Sequence, residues 1–329
     1  MKHIELFLFL TIALCACSKE GSVVAMDPFT TDQFSISKVK VDVNGVVATY
    51  SFSADLPEPV SMNSMSTSMS GISFSSVQVL TSEYPDMENA MSKGLFIRVD
   101  GVAGLHDYVV TSGGLAPGRT YYSRVVVTNS GGMRVWSDPV SFVAGSYSDS
   151  SRQIGDHMAV DLGLSVLWAD SNLDGYYSWG ETEPKIFCGI DNYSIEEVSD
   201  FKDAAEKQWG NGWRMPTAYE AWELGLMSDI TFTSSDAVLQ TESCKRALVL
   251  PLNGYKHNAN VECKGGFGYY LTSTPSPYVS LVDLPFADLN HYFYMFYLTD
   301  RKTGDAPEFD VCFPSYYYEG CQVRPVHDR

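Results

Sequence analysis

The chain has 329 residues and a formal net charge of −18, with 45% hydrophobic and 13% aromatic residues. This length allows two domains, because single cores rarely grow beyond about 250–300 residues. The acidic balance argues against a nucleic-acid partner, since phosphate binding needs clustered Lys and Arg. The second half carries most of the charge, with 26 Asp and Glu against 13 Lys and Arg, which is typical of a solubilising surface.

Residues 1–17 predict an export signal. Lys2 precedes an apolar run, Leu6–Leu14, that is too short to span a bilayer and ends in small residues. Leu-Cys-Ala-Cys at residues 14–17 resembles a bacterial lipobox, in which the last cysteine, Cys17, is acylated and begins the mature protein. The alternative is an ordinary secretory signal with incidental cysteines. The resemblance implies export and a lipid anchor in the bacterial outer membrane, with the chain exposed at the surface. The polar residues 18–32 predict a tether.

Residues 33–145 predict an all-β sandwich. Asn44-Gly45 is a strong hairpin signal between two alternating apolar and polar runs, Val39–Val43 and Val46–Phe52. Further β-like runs are Ile72–Leu80, Gly94–Val99, Tyr108–Thr111, Tyr121–Thr128 and Arg134–Val143. About seven short strands with turn residues between them are typical of an antiparallel sandwich. The Ser- and Met-rich segment 61–76 is either a variable loop or an adaptable binding surface.

The segment Leu115–Gly132 resembles the corner and following strand of fibronectin type III domains, especially those of Bacteroidetes surface lipoproteins. Leu115, Pro117 and Tyr121 match the leucine, proline and corner tyrosine of that pattern. We therefore expect the Tyr121 hydroxyl to bond back to the backbone at the corner. The tryptophan that the family has on an early strand is absent. We expect a spacer or interaction role for this domain.

The polar residues 146–156 predict a linker, and residues 157–329 form a second unit with five of the six tryptophans. In this unit Asp203–Gln208 predicts a short helix. Thr217 and Glu220 predict a capping box that begins another helix. Strands are predicted within Val160–Ala169, Ala247–Pro251, Gly268–Ser273, Tyr292–Leu298 and Val311–Phe313.

Five motifs of the second unit resemble, in the same order, the Fibrobacter succinogenes major paralogous domain. They are V-D-L-G-L-S-V-L-W-A from Val160, Y-S-W-G-E-T-E-P-K from Tyr177, W-G-N-G-W-R-M-P-T from Trp209, G-Y-Y-L-T-S-T from Gly268 and V-R-P-V from Val323. That family is common in secreted proteins of Bacteroidetes and is similar to the C-type lectin fold. The resemblance implies an α+β, C-type lectin-like domain, and it implies no established activity.

Large aromatic residues are predicted to form the structural core. They are Trp168, Trp179, Trp209, Trp213, Trp222 and, in the sandwich, Tyr121. Export places the remaining cysteines in an oxidising setting. We expect a disulfide between Cys312 and Cys321 that links the two strands of a final hairpin. A disulfide between Cys244 and Cys263 is a second hypothesis. Cys188 is then left over.

The candidate ligand residues are acidic and aromatic. Glu181 and Glu183 lie two apart, as paired catalytic carboxylates could, but Gly180 and Pro184 favour a turn of solvated acids. The run Tyr316-Tyr317-Tyr318 precedes Glu319, and tyrosines beside a carboxylate can hold sugars by ring stacking and hydrogen bonds. The alternative for Tyr316, Tyr317 and Tyr318 is packing against the core. Histidine and cysteine spacings match no zinc motif, and no metal or cofactor is predicted.

The leading hypothesis is a non-enzymatic surface lipoprotein that acts in adhesion or ligand capture. Its partners would be the membrane, through the N-terminal lipid, and a glycan or a surface or host protein. The alternative is a structural or accessory subunit of a surface assembly without a small ligand. An enzyme of unknown type is the third hypothesis.

Overall fold

The computed structural model describes residues 35–56, 76–87, 95–100, 104–128, 134–193, 200–275, 293–301, 309–312 and 318–329. The predictions on the signal, Cys17, the tether, most of the loop 61–76, Tyr316 and Tyr317 lie outside these residues. All described residues fall within one compact unit, Phe34–Arg329. No helix in the described part of the chain has the length and apolar character needed to cross a membrane.

The first part of the chain, which we call the sandwich, is built from strands. They are β1 (Ser35–Asn44), β2 (Val47–Leu56), β3 (Ser76–Ser82), β4 (Leu95–Asp100), β5 (Gly104–Ser112), β6 (Thr120–Thr128), β7 (Arg134–Trp136) and β8 (Val140–Val143). One sheet has the order β1-β2-β5, and the other has the order β4-β3-β6-β7 with β8 also paired to β6. All these pairs are antiparallel. The predicted strands are confirmed, and the last one is divided in two.

Both sheets of the sandwich contribute side chains to one core. Tyr50 and Phe52 of β2 pack with Val79 of β3 and Val125 of β6, and all four are buried. Tyr50 is fully buried, and its hydroxyl lies 2.9 Å from Thr81 Oγ1, so the polar end of the ring is hydrogen-bonded. The alternation of buried and exposed positions along these strands follows from a strand period of two.

Two local predictions for the sandwich are confirmed. Strands β1 and β2 form the expected hairpin, with Asn44 opposite Val47. Its turn is therefore Gly45-Val46, one residue later than the Asn-Gly pair, and Gly45 has a φ of 61°. At the corner, the Ala116 N–H donates to the Tyr121 hydroxyl at 2.9 Å.

The second part of the chain, which we call the head, combines short sheets with short helices. Its strands are β9 (Arg152–Ile154), β10 (His157–Val160), β11 (Val166–Ala169), β12 (Ser228–Phe232), β13 (Asp236–Thr241), β14 (Ala247–Pro251), β15 (Tyr255–His257), β16 (Asn260–Glu262), β17 (Phe267–Pro275), β18 (Phe293–Thr299), β19 (Phe309–Cys312) and β20 (Val326–Asp328). The sheets have the orders β20-β11-β10-β9, β12-β13-β14, β15-β16 and β17-β18-β19. Strand β9 lies inside the predicted linker 146–156, which is therefore shorter than expected.

Both predicted helices of the head are present and capped. Helix α1 (Ala204–Trp209) begins after Asp203, whose carboxylate accepts from the N–H groups of Ala205 and Glu206. Helix α2 (Ala218–Leu226) begins with the predicted capping box. In this box Thr217 Oγ1 accepts from the Glu220 N–H at 3.3 Å, and Glu220 Oε2 accepts from the Thr217 N–H at 2.7 Å. These contacts satisfy backbone donors that a helix start leaves unpaired.

The predicted core aromatics fall into two groups. Trp168, Trp179 and Trp213 are fully buried, and Tyr121 is buried in the sandwich. Trp209 and Trp222 are only half-buried, although both pack against buried clusters. The Trp209 ring stacks on the His157 ring and meets the Trp213 ring edge to face, at centroid distances of 3.4 and 5.4 Å.

The disulfide hypothesis for Cys244 and Cys263 is wrong, because both thiols lie outside any disulfide. The side chain of Cys312 lies outside the described residues, so a disulfide between Cys312 and Cys321 stays a prediction. The hairpin expected between Cys312 and Cys321 is not formed, because Cys312 lies opposite Met295 while Cys321 forms a bridge with Tyr177. Cys188 is a buried free thiol.

Candidate functional site

Backbone pairing brings the two predicted ligand segments of the head together. Tyr177 and Cys321 exchange two backbone hydrogen bonds of 2.9 Å each. Next to this bridge, Ser178 Oγ donates to the Tyr318 carbonyl at 2.9 Å. The turn that leads to Glu181 begins there, since the Glu181 N–H donates to the Ser178 carbonyl at 3.1 Å. The acidic turn therefore lies beside Tyr318 and Glu319.

A third segment, strand β15, completes this region. Lys256 and Gly320 exchange two backbone hydrogen bonds, of 2.7 and 2.8 Å. This pairing places His257 Nδ1 3.1 Å from Glu319 Oε1 and the His257 ring 6.3 Å from the ring of Tyr318. Glu319 is buried. Its carboxylate is therefore held by His257 on the inner side of this region.

The acids at 181 and 183 do not form the catalytic pair that their spacing allows. Glu181 is buried, and its Oε2 lies 2.7 Å from Lys185 Nζ. Glu183 is exposed. The segment is a series of turns, so the two side chains do not share the face that a strand would give them. We call Glu181, Lys185, His257, Tyr318 and Glu319 the head surface.

The Cys188 thiol lies next to the head surface and packs against neighbouring residues. Cys188 pairs with Asn258 through two backbone hydrogen bonds and lies against Gly320, where an added Cβ would be 2.5 Å from its sulfur. Burial raises the pKa of the Cys188 thiol, and the nearby ammonium groups of Lys256 and Lys185 act in the opposite direction. The protonated thiol is a poor nucleophile. Covalent chemistry at Cys188 is therefore disfavoured.

Apolar side chains flank the head surface. Ile186 is 87% exposed and Phe187 is 41% exposed, directly after Lys185. Phe187 reaches toward the β15–β16 turn, because an added Cβ at Gly189 would meet both the Phe187 ring and Asn258 Oδ1. Neighbouring exposed apolar residues beside aromatic and charged groups are typical of a contact surface.

A second candidate region, which the sequence did not predict, is a cleft between the sandwich and the head. Its volume is about 610 Å³. Thr49, Val109 and Thr111 line it from the sandwich, and Arg214 and Asp328 line it from the head. We call it the junction cleft. Sequence reasoning missed it because its walls come from two regions that were treated as separate domains.

Ion pairs dominate the head wall of the junction cleft. Arg214 donates to both oxygens of Glu220, at 2.6 and 2.9 Å, and to Asp328 Oδ1 at 2.8 Å. Burial lowers the pKa of Arg214, but the hydrogen bonds and charges of Glu220 and Asp328 outweigh it and raise the pKa above its usual value. Arg329 makes a bidentate pair with the buried Asp161, at 2.7 and 2.8 Å.

A buried carboxyl group at the junction cleft joins its two walls. Glu223 Oε1 accepts from the Gly113 N–H of the sandwich at 2.5 Å. Its Oε2 accepts from the N–H and hydroxyl of Ser165 in the head, at 2.9 and 2.6 Å. Burial raises the pKa of Glu223 to about 7, although these hydrogen bonds favour the charged form. Beside them, the Gly114 N–H donates to the Gly163 carbonyl at 2.6 Å.

Within the described ranges, no group of three or more Asp, Glu, His and Cys side chains is arranged to hold a metal ion. The His257–Glu319 pair of the head surface is a polar contact between two side chains.

Comparison with known proteins identifies no family and gives a weak structural likeness. No family model matches the chain, and no curated protein matches it. Among solved structures, wild-type OgpA from Akkermansia muciniphila is similar over 35% of this chain, with 10% sequence identity and a TM-score of 0.26. The similar region spans 30% of that chain. A likeness of this size carries no argument about the fold or the activity of this chain.

Proposed function

We propose that the chain is a surface lipoprotein that captures a ligand without catalysis. In this proposal a lipid on Cys17 anchors the exported protein in the bacterial outer membrane, and the sandwich holds the head away from the membrane. The head acts in adhesion, by binding a glycan or a surface or host protein. The observation that carries the proposal is the convergence of Glu181 with Tyr318 and Glu319, which are far apart in sequence.

The strand arrangement supports the domain assignments that this proposal uses. The facing sheets β1-β2-β5 and β4-β3-β6-β7, with the Tyr121 hydroxyl bonded at the corner, support a fibronectin type III-like sandwich. The capped helix after the Trp-rich turn and the antiparallel bridge between Arg214 and Val326 support a Fibrobacter succinogenes major paralogous domain with a C-type lectin-like fold.

The chemistry of the head surface supports binding. Glu181 Oε2 lies 2.7 Å from Lys185 Nζ, and Glu319 Oε1 lies 3.1 Å from His257 Nδ1, so these four side chains form a polar frame. The half-buried Tyr318 also packs against a buried cluster of the head, as the alternative interpretation expected, and together with the exposed Phe187 it lies next to that frame. Aromatic groups beside fixed polar groups suit sugars and protein side chains alike.

The proposal is tested on the mature protein with a glycan array and a panel of host and surface proteins. We expect saturable binding that Tyr318→Ala weakens about tenfold, because a stacked ring contributes on the order of 1 kcal/mol or more. Tyr84→Ala is the matched control, since Tyr84 is an exposed tyrosine of the sandwich. Absence of binding tighter than millimolar, or equal binding by both variants, would reject the proposed site.

The anchor is tested separately by metabolic labelling with a fatty acid. We expect label on the wild type and none on Cys17→Ala. Equal labelling of the two proteins would contradict a lipid on this cysteine.

The exposed apolar pair also favours a second candidate function, a structural or accessory subunit of a surface assembly. Ile186 and Phe187 are adjacent and exposed, as interface residues of a complex would be before assembly. Isolation of the protein from envelope extracts in a stable complex that Ile186→Glu dissolves would support this role. Recovery of the wild type as a free protein that still binds a glycan would reject it.

A further inference from the structure

The junction cleft has the size of a small-molecule site. Its volume of about 610 Å³ lies within the range of roughly 300–1,000 Å³ that is usual for ligand pockets. Two titratable groups with shifted pKa values, Glu223 and Arg214, line it, and such groups concentrate at functional sites. The cleft is therefore a candidate site in addition to the head surface.

The charges of the junction cleft favour a neutral ligand. Each arginine that lines it already has a carboxylate partner, Glu220 and Asp328 for Arg214 and Asp161 for Arg329. An anionic ligand would have to separate one of these pairs, and breaking a partly buried pair leaves a charge uncompensated. A cationic ligand would compete with the arginines for the same acids. A neutral ligand avoids both costs.

The polar groups of the junction cleft match hydroxyl groups. Thr49 and Thr111 lie side by side on neighbouring strands, with their Oγ1 atoms 3.3 Å apart in an exposed position. Opposite them, the Asp328 side chain is 78% exposed while its Oδ1 accepts from Arg214. A hydroxyl both donates and accepts, and a carboxylate offers about four acceptor positions. Alcohol groups of a ligand could therefore bond to both walls.

The cleft also contains apolar area of limited extent. Val109 on β5 is 72% exposed, on the face of the strand that points away from the sandwich core. The ring of Tyr219, at the start of α2, lines the same cleft. An exposed apolar side chain among hydroxyl groups suits a ligand that has both C–H faces and hydroxyl edges. Pyranose rings have this composition.

We propose that the junction cleft binds a short neutral oligosaccharide. Its hydroxyl groups bond to Thr49, Thr111 and Asp328, and a C–H face of one ring packs on Val109. This inference rests on the proposed binding role of the chain, but it does not depend on the head surface. The proposed site needs the close contact between sandwich and head, because each part supplies only one of its two walls.

The test uses calorimetric titration of the mature protein with neutral di- to tetrasaccharides of glucose, galactose, mannose, xylose and N-acetylhexosamines. Sialylated and sulfated oligosaccharides of the same size form the anionic arm. Val109→Arg fills the cleft, and Leu105→Arg is the matched control because Leu105 is 65% exposed on the same face of β5 but does not line the cleft. We expect Val109→Arg to weaken binding at least about tenfold and Leu105→Arg to leave it within about twofold.

A second blocking variant, Thr111→Arg, keeps the test decisive if Val109→Arg does not fold. It should weaken binding as Val109→Arg does, since Thr111 is exposed and lines the cleft. The inference is overturned if no neutral saccharide binds, if only anionic saccharides bind, or if the blocking and control variants bind alike. Binding that is lost in Tyr318→Ala and retained in both blocking variants would overturn the cleft site and leave the proposed function standing.

Discussion

Glu223 makes the stability of the protein depend on pH in a specific window. Its carboxyl group is buried at the junction cleft, and its pKa is raised from 4.5 to about 7 in the folded protein. Between these two values the unfolded chain has released the proton while the folded chain retains it. Because the folded state then binds more protons, its stability falls as the pH rises through this window.

The size of this effect follows from the two pKa values. A shift of one pKa unit corresponds to about 1.4 kcal/mol, so the shift of Glu223 corresponds to a loss of about 3 kcal/mol between pH 4.5 and pH 8. The hydrogen bonds from Gly113 and Ser165 reduce the loss but do not remove it, since burial is the largest cause of the shift. Below pH 4.5 the carboxyl group is protonated in both states, and the loss of unfolding free energy caused by Glu223 is absent.

The assay compares wild type and Glu223→Gln by urea unfolding, followed by tryptophan fluorescence, at several pH values from 4.5 to 8. The glutamine side chain of this variant stays neutral throughout, so the difference in unfolding free energy between the two proteins isolates the titration of the carboxyl group. We expect that difference to change by about 3 kcal/mol in favour of the variant as the pH rises.

The matched control is Glu183→Gln, because Glu183 is exposed. The unfolding free energy of this variant should stay within about 0.5 kcal/mol of the wild-type value at every pH. If the difference in unfolding free energy between wild type and Glu223→Gln is constant from pH 4.5 to 8, the predicted titration of Glu223 at the junction is refuted.

Three further predictions concern the folded core and the cysteines. Trp213→Ala should lower the unfolding free energy by roughly 3–5 kcal/mol, because it truncates a fully buried ring; an unchanged melting temperature would contradict a core role. Tyr121→Phe should cost about 1–3 kcal/mol in urea unfolding, since the buried Ala116 N–H loses its acceptor, and a neutral effect would contradict the corner contact. Without reductant, iodoacetamide should label Cys263 in the native protein and Cys244 only after unfolding, and resistance of both after unfolding would restore the predicted disulfide.

Local sequence signals predicted the elements of the fold well. The alternation along β1 and β2, the capping box at Thr217 and the corner at Tyr121 each depend on residues within a few positions of one another. Strands β12 and β13 were missed because their Ser-, Thr- and Asp-rich segments resemble loops more than strands. The structure pairs them in register with β14.

The junction could not be predicted from such local signals. Glu223 occupies a helix position that resembles an ordinary solvated acid, and its partners Gly113 and Ser165 are 110 and 58 residues away. One signal was present in the sequence, the glycines of the two contacting loops. An added Cβ at Gly113 would collide with the backbone of Gly163, so only glycine allows this approach.

The predicted final hairpin between Cys312 and Cys321 is wrong because nearness in sequence was taken for nearness across a hairpin. Strand β19 ends in Cys312, opposite Met295, whereas residues 320–322 bridge to Lys256, Tyr177 and Tyr270. The bridge between Cys321 and Tyr177 also brings the acidic turn next to Tyr318 and Glu319. The head surface therefore depends on a pairing that the hairpin interpretation excluded.

The most direct test of the proposed function is equilibrium binding of the mature wild-type protein to an array of glycans and to a panel of host and surface proteins. We expect saturable binding of at least one ligand, tighter than millimolar, that Tyr318→Ala or Val109→Arg weakens and Tyr84→Ala leaves unchanged. Absence of saturable binding across the whole array and panel would contradict it.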